Sequence, residues 1–308
     1  MGKPTHLNTA ALRNGLRARI VRLIAAAAAA LALAVLHTTA SAATEALLKL
    51  PPPVANGAVW KPKPHMRWQL QFATVPVDVT IDADVYKIDL FENDASVVSG
   101  LKKKGKRVVC YLNAGAWEAW RPDARRFPRA AKGRRYEGWA GERWLDIRRI
   151  DLVAPIMRAR LDMCRDKGFD GVMLDNVNSY TNKTGFPLTG ADQLRFNVWI
   201  ANEARRRGLA VGMNNNAEQA RQLVPYFDWA LAESCFSQGW CATLRPFIDS
   251  GKAVVVIEYT DDQEKLNAMC EEALALRFSL MRKKLELDAF RQECTHVDIK
   301  SVSGAWAG

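Results

Sequence analysis

Short apolar runs recur along this chain, and most of them stop at a polar side chain. Residues 168–176, Gly-Phe-Asp-Gly-Val-Met-Leu-Asp-Asn, show the pattern most sharply. Gly168 can end a helix in the left-handed conformation. Val172, Met173 and Leu174 form a continuous apolar run, as expected of a strand buried on both faces of a parallel sheet. Asp175 sits where that strand runs out. The runs at 227–233 and 253–258 repeat the arrangement and end at Glu233 and Glu258.

The same reading along the chain predicts eight strands, at residues 67–72, 85–90, 107–112, 172–174, 209–213, 229–232, 253–257 and 278–281. Helical spacing fills several gaps, at 152–167, at 191–207 and in a segment reaching Lys104. Residues 114–149 form a long interruption rich in Trp, Arg and Gly. Eight strands alternating with helices predict an α/β fold, a (β/α)8 TIM barrel spanning residues 65–308 as one domain. A doubly wound open sheet is the alternative. Its first strand is normally followed by a Gly-rich phosphate loop, and none is present here.

In a barrel the strand ends meet on one rim. Asp89, Asn113, Asp175, Asn214, Glu233 and Glu258 would then share a pocket. One strand-end acid could equally be a helix cap; six polar residues on one rim are harder to explain that way. Paired carboxylates at a cleft suit glycosidic-bond cleavage. One protonates the leaving oxygen, and the other attacks the anomeric carbon or activates water. Trp117, Trp120, Trp139 and Trp144 can stack on sugar rings, or simply pack beneath the long loop.

Composition changes the picture at the N-terminus. Arg13, Arg17, Arg19 and Arg22 precede an Ala/Leu-rich run at 23–36, and Ala40-Ser41-Ala42 fits a small-x-small cleavage site. Residues 1–42 therefore predict a signal peptide cleaved after Ala42. The mature protein would be periplasmic or secreted, with no stable membrane insertion. An uncleaved anchor is the alternative, but the run is shorter than the roughly 20 residues of a membrane span. Residues 43–64, with five prolines at 51–53, 62 and 64, predict an extended linker. Removing the leader's five basic residues leaves 39 Lys/Arg against 33 Asp/Glu, a net charge of +6. The basic runs at 102–104 and 205–207 fall near predicted helix C-termini, where cations suit the helix dipole. With no nucleic-acid motif present, a nucleic-acid partner is not expected.

Export permits disulfides. Cys235 and Cys241 predict a staple in the loop after Glu233, and Cys270 could pair with Cys294. For Cys110 and Cys164 buried free thiols are equally compatible. Four histidines, two of them in the leader, leave little material for a metal site or a Ser-His-Asp site. No cofactor is expected.

Five stretches carry a family resemblance: Tyr111-Leu-Asn-Ala-Gly115, Gly168-Phe-Asp-Gly-Val-Met-Leu-Asp175, Gly208-Leu-Ala-Val-Gly212, Glu233-Ser-Cys-Phe236 and Gly251-Lys-Ala-Val-Val-Val-Ile-Glu-Tyr259. In order and spacing, over about residues 68–259, they resemble glycoside hydrolase family 114. The resemblance implies a (β/α)8 barrel with endo-α-1,4-polygalactosaminidase activity on an amino-sugar polymer. It implies Asp175 as nucleophile and Glu233 as acid/base of a retaining mechanism. Asp89, Tyr111, Asn113, Asn176, Asn214, Glu258 and Tyr259 would hold substrate. An amino sugar is cationic, so a ring of acids suits it. The chain reads Asn214-Asn215-Asn216 where the family often has a Lys-Asn pair, and Asn178 where it often has a further acid. Both departures bear on the sugar rather than on the barrel. A carbohydrate-binding or matrix-associated barrel without catalysis is the alternative function, and the intact acid pair favours an enzyme. A metal-dependent barrel hydrolase is a third class, disfavoured by the scarcity of histidine.

Overall fold

A computed structural model of the chain describes residues 50–57, 59–73 and 76–294. The expected signal peptide, its cleavage site and the first part of the linker lie outside the described residues. No described helix is long and apolar enough to cross a membrane.

Strands β1 (Trp68–Gln71), β2 (Val85–Asp89) and β3 (Arg107–Asn113) begin the main sheet. The chain then leaves it for a small antiparallel sheet of β4 (Ala116–Glu118), β5 (Lys132–Arg135) and β6 (Glu142–Leu145). It returns with β7 (Gly171–Asp175), β8 (Ala210–Asn214), β9 (Trp229–Glu233), β10 (Ala253–Glu258) and β11 (Ser279–Arg282). These eight main-sheet strands pair in parallel, each with its neighbour in chain order. A two-residue strand, β12 (Gln292–Glu293), adds antiparallel to β11. The principal helices between strands are α1 (Ala95–Lys103), α2 (Ile150–Asp166), α3 (Gly190–Arg206), α4 (Ala220–Leu223), α5 (Arg245–Asp249) and α6 (Gln263–Ala275). The predicted strands and the (β/α)8 barrel agree with this order.

The sheet curls until its ends approach. β1 and β11 do not pair directly; the segment after β11 bridges them. Phe72 N donates to Leu287 O (2.9 Å), Gln69 Nε2 to Ala289 O (3.1 Å) and Arg291 to Trp68 O (3.0 Å). One buried cluster draws side chains from all eight barrel strands, including Trp68, Val85, Val109, Met173, Ala210, Trp229, Val255 and Met281. Alternate residues of a strand face opposite sides. That cluster therefore sets the inward parity for each strand, and the outward residues meet the helices.

Trp229 is buried at the start of β9, with its ring tilted by 38° against that of Trp68 at 5.8 Å between ring centroids. It fits because its neighbours are glycines. A Cβ on Gly212 would lie 2.2 Å from the indole, and one on Gly171 3.1 Å. Gly212→Ala is therefore expected to destabilise the barrel by about 1–3 kcal/mol, the usual range for overpacking a dense core. Urea unfolding would measure it, and an unchanged midpoint would contradict this account.

Among the described residues there are three disulfides, Cys110–Cys164, Cys235–Cys241 and Cys270–Cys294, with Cα separations of 6.0, 4.8 and 5.4 Å. The first joins the pair for which free thiols were equally compatible. Cys110 lies between Val109 and Tyr111, which face inward, so its thiol faces α2 and meets Cys164 there.

Candidate active site

Asp175, Asn214 and Glu233 continue the inward parity at the C-terminal ends of β7, β8 and β9. Each is followed at once by a residue in the left-handed conformation: Asn176 (φ 57°), Asn215 (φ 55°) and Ser234 (φ 57°). Asparagine tolerates that region better than most residues, and serine has no such advantage. Three successive strands thus turn sharply just beyond the polar residue. Gly115 has a related role: a Cβ there would sit 1.8 Å from the carbonyl oxygen of Asn176.

The two carboxylates are joined by one side chain. Asn214 Nδ2 donates to Asp175 Oδ1 at 2.6 Å and to Glu233 Oε1 at 3.3 Å. The sum of those lengths, about 6 Å, bounds the separation of the two accepting oxygens. Asp175 also accepts from Tyr111 Oη (2.7 Å) and from Asn176 N (2.8 Å). Glu233 accepts from Tyr259 Oη (2.8 Å), and its own N–H donates to Asn215 Oδ1 (3.0 Å). Burial, then the charge of Asp175, pushes the Tyr111 phenol far above its usual range. Burial and Glu233 do the same to Tyr259. Both phenols therefore remain donors.

These residues line a cavity of about 200 Å³. Its wall includes Tyr111, Asp175, Asn176, Asn214 and Glu233, with Tyr136, Trp139 and Glu142 from the long interruption. Glu233 also borders an adjoining groove of about 380 Å³ with Asn178, Glu218 and Trp240. The two cavities share Asn178, Asn215 and Glu233 and so form one extended cleft.

Three expected substrate contacts lie elsewhere. Asp89 is buried and paired with Arg121, which donates to its two oxygens at 2.9 and 2.6 Å. The same guanidinium holds Glu118 on β4. Asp89 thus pins the small antiparallel sheet to the rim. Glu258 has the wrong parity: Ile257 faces inward, so Glu258 faces outward, where it accepts from Phe236 N (2.8 Å) and Ser237 Oγ (2.5 Å). It braces the loop after Glu233, the loop that also carries Cys235–Cys241. Asn113 is held back from the cavity, accepting from Asn176 Nδ2 (3.0 Å) and donating to Glu142 Oε2 (3.2 Å). Among the four tryptophans, Trp139 is exposed at the cavity, whereas Trp144 is buried under Tyr136, with ring centroids 4.2 Å apart.

Two groups escaped the sequence reading. Lys87 is 1% exposed, with its amine 5.2 Å from the ring centres of both Phe72 and Tyr111. Burial lowers its pKa, while the charges of Glu233 and Asp175 oppose that. Its amine lies near the carboxylate pair, whose charges favour its protonated form against the burial. A lysine inside the run Val85-Tyr-Lys-Ile-Asp was the available signal. Glu142 is buried on β6, and its carboxyl rises to about 7 through burial, then the like charges of Glu118 and Asp175. Its only sequence signal was an acid between Trp139 and Trp144. Among the described residues no group of His, Cys, Asp and Glu could hold a metal ion.

The model of glycoside-hydrolase family GH114 matches residues 50–298. The chain is similar to Aspergillus fumigatus Ega3, solved in complex with galactosamine. Identity is 35%, the TM-score is 0.75, and the match covers 79% of this chain and 100% of that one. It shares its fold with the glycoside hydrolase domain of PelA from Pseudomonas aeruginosa, at 15% identity, TM-score 0.59 and coverage of 74% and 98%. No curated protein sequence matches it.

Proposed function

The chain belongs to glycoside-hydrolase family GH114, and from that premise we propose that it cleaves an α-1,4-linked galactosamine polymer with retention of configuration. Asp175 is the nucleophile and Glu233 the acid/base. Glu233 gives its proton to the leaving glycosidic oxygen while Asp175 Oδ2 or Oδ1 bonds to the anomeric carbon. Water then attacks that carbon, Glu233 takes its proton, and Asp175 leaves as the carboxylate. Tyr111, Asn214 and the Asn176 N–H orient Asp175 and stabilise its negative charge, and Tyr259 does so for Glu233.

The observation that carries this reading is the shared contact of Asn214 with both carboxylates. Retaining enzymes keep the pair about 5–5.5 Å apart, whereas inverting enzymes need roughly 6.5–9.5 Å to admit water between them. A bound near 6 Å supports retention. The likeness to a galactosamine-bound structure supports the sugar. The signal-peptide pattern expected at residues 1–42 supports export to the periplasm or beyond, where such a polymer would be met.

The mature protein is expected to depolymerise deacetylated galactosaminogalactan and to leave chitosan and polygalacturonate intact. Proton NMR during the first minutes of the reaction should show the α-anomer of the new reducing end before mutarotation. A β-anomer appearing first would overturn the retaining mechanism, and cleavage of the control polymers alone would overturn the substrate.

A further inference from the structure

We propose that Glu142 recognises the substrate's ammonium group and so makes the site selective for an unacetylated amino sugar beside Asp175. This rests on the amino-sugar reading above and names the residue that enforces it. Glu142 is not a strand-end residue of the barrel. β6 carries it into the cavity wall from the inserted sheet, which Arg121 anchors to Asp89.

The argument starts from a missing partner. Nearby acids on the same side of the rim have cations: Asp89 and Glu118 share Arg121, and Asp123 pairs with Arg160 at 2.8 Å. Glu142 has no ion pair among the described residues; its carboxylate takes a single hydrogen bond, from Asn113. A buried carboxylate without a cation is costly, so it either keeps a proton or acquires a positive partner. The groups facing it are Glu118 across β4, Asp175 on β7, Asn113 on β3 and, opposing the two acids, Arg121. Two like charges, against one cation already paired with Asp89 and Glu118, leave the site electrostatically open to a ligand ammonium.

A second observation is independent of Glu142. Asn214 lines the same cavity and is 3% exposed, yet its Oδ1 has no hydrogen-bond donor. Because its Nδ2 is held by both carboxylates, the amide cannot turn to relieve this. The site therefore holds an unmet acceptor in its wall as well as an unmet carboxylate, and a sugar ammonium supplies the donor that Glu142 lacks. Tyr136 and Trp139 border the cavity, and aromatic faces attract cations further. An N-acetyl group offers one N–H and no charge, which leaves Glu142 without a counterion.

The test compares three aryl glycosides with one leaving group: α-galactosaminide, N-acetyl-α-galactosaminide and α-galactoside. The wild-type enzyme should prefer the first. In Glu142→Gln, kcat/KM on the galactosaminide should fall at least about 30-fold more than on the galactoside, the scale of breaking a buried charged contact. Glu142→Asp should recover part of that selectivity, which guards against a merely structural loss. Calorimetry with galactosamine at pH 6 should show proton release from the wild type, because the bound ammonium ionises a carboxyl that titrates near 7, and no such release from Glu142→Gln. Equal losses on both substrates, or an unchanged preference, would overturn the role of Glu142. A wild-type enzyme with no preference for the free amine would instead overturn the amino-sugar reading itself.

Discussion

Asp175→Asn is expected to remove hydrolysis of both polymer and activated aryl glycoside, lowering kcat by at least about 10⁴-fold, on the scale seen when a covalent nucleophile is deleted. The fold should survive. Asp175 accepts three hydrogen bonds, from Tyr111, Asn214 and the N–H of Asn176. A carboxamide can keep two of them through its oxygen. Its NH2 would face Tyr111, whose hydroxyl can rotate to accept. What is lost is the anion. A neutral amide is too weak a nucleophile for an oxocarbenium-like centre, and no better-leaving substrate can compensate, because the missing bond is the one that forms. Circular dichroism should match wild type, and galactosamine should still bind. Near-wild-type turnover on any natural substrate would sink the assignment and leave Asp175 a binding role.

Glu233→Gln should behave differently. Loss of general acid help typically costs about 10²–10⁴-fold, and the cost depends on how much the leaving group needs a proton. Polymer cleavage expels a poor alkoxide, so the full penalty applies. An aryl glycoside with an acidic phenol leaves unaided, so its first step should slow far less. The second step still needs Glu233 as base, so the glycosyl-enzyme should accumulate, seen as a burst of phenol followed by slow turnover. Tyr259 and Asn214 can both hold a carboxamide, so binding should be retained. Equal losses on polymer and aryl glycoside, with no burst, would show that Glu233 is not the acid/base. The contrast between the two variants separates nucleophile from acid more surely than either variant alone.

The strand ends that matter were legible because a buried parallel strand cannot hide its composition. Val172-Met-Leu and Val254-Val-Val-Ile are apolar throughout, with both faces covered by barrel interior and helices, and they stop where the backbone reaches solvent. Eight such runs with intervening helices left few topologies, and the barrel was the natural one. The places of Asp175, Asn214 and Glu233 at strand ends therefore followed from spacing alone. The asparagine run after β8 has a local cause as well, since Asn215 and Asn216 both adopt left-handed conformations.

Strand parity and the path of the insertion belonged to the tertiary structure. Glu258 and Tyr259 are adjacent in sequence, yet one braces a loop on the helix side while the other donates to Glu233, because neighbouring side chains of a strand face opposite ways. Placing the inward face requires the register of all eight strands around the core, and a fully apolar run carries no mark of it. Asp89 faces the rim, but its fate depends on Arg121, 32 residues later, folding back upon it. Lys87 lies under the carboxylates only because β2, β3, β7 and β9 curl around one interior. Glu142 reaches the cavity because β4 and β6 pair above the barrel mouth. The sequence by itself determined the strands, their order and the polar residues that end them, since burial and backbone turns act locally. Which of those residues meet in one cavity, and which are held by a buried cation first, depended on long-range pairing that only the closed barrel supplies.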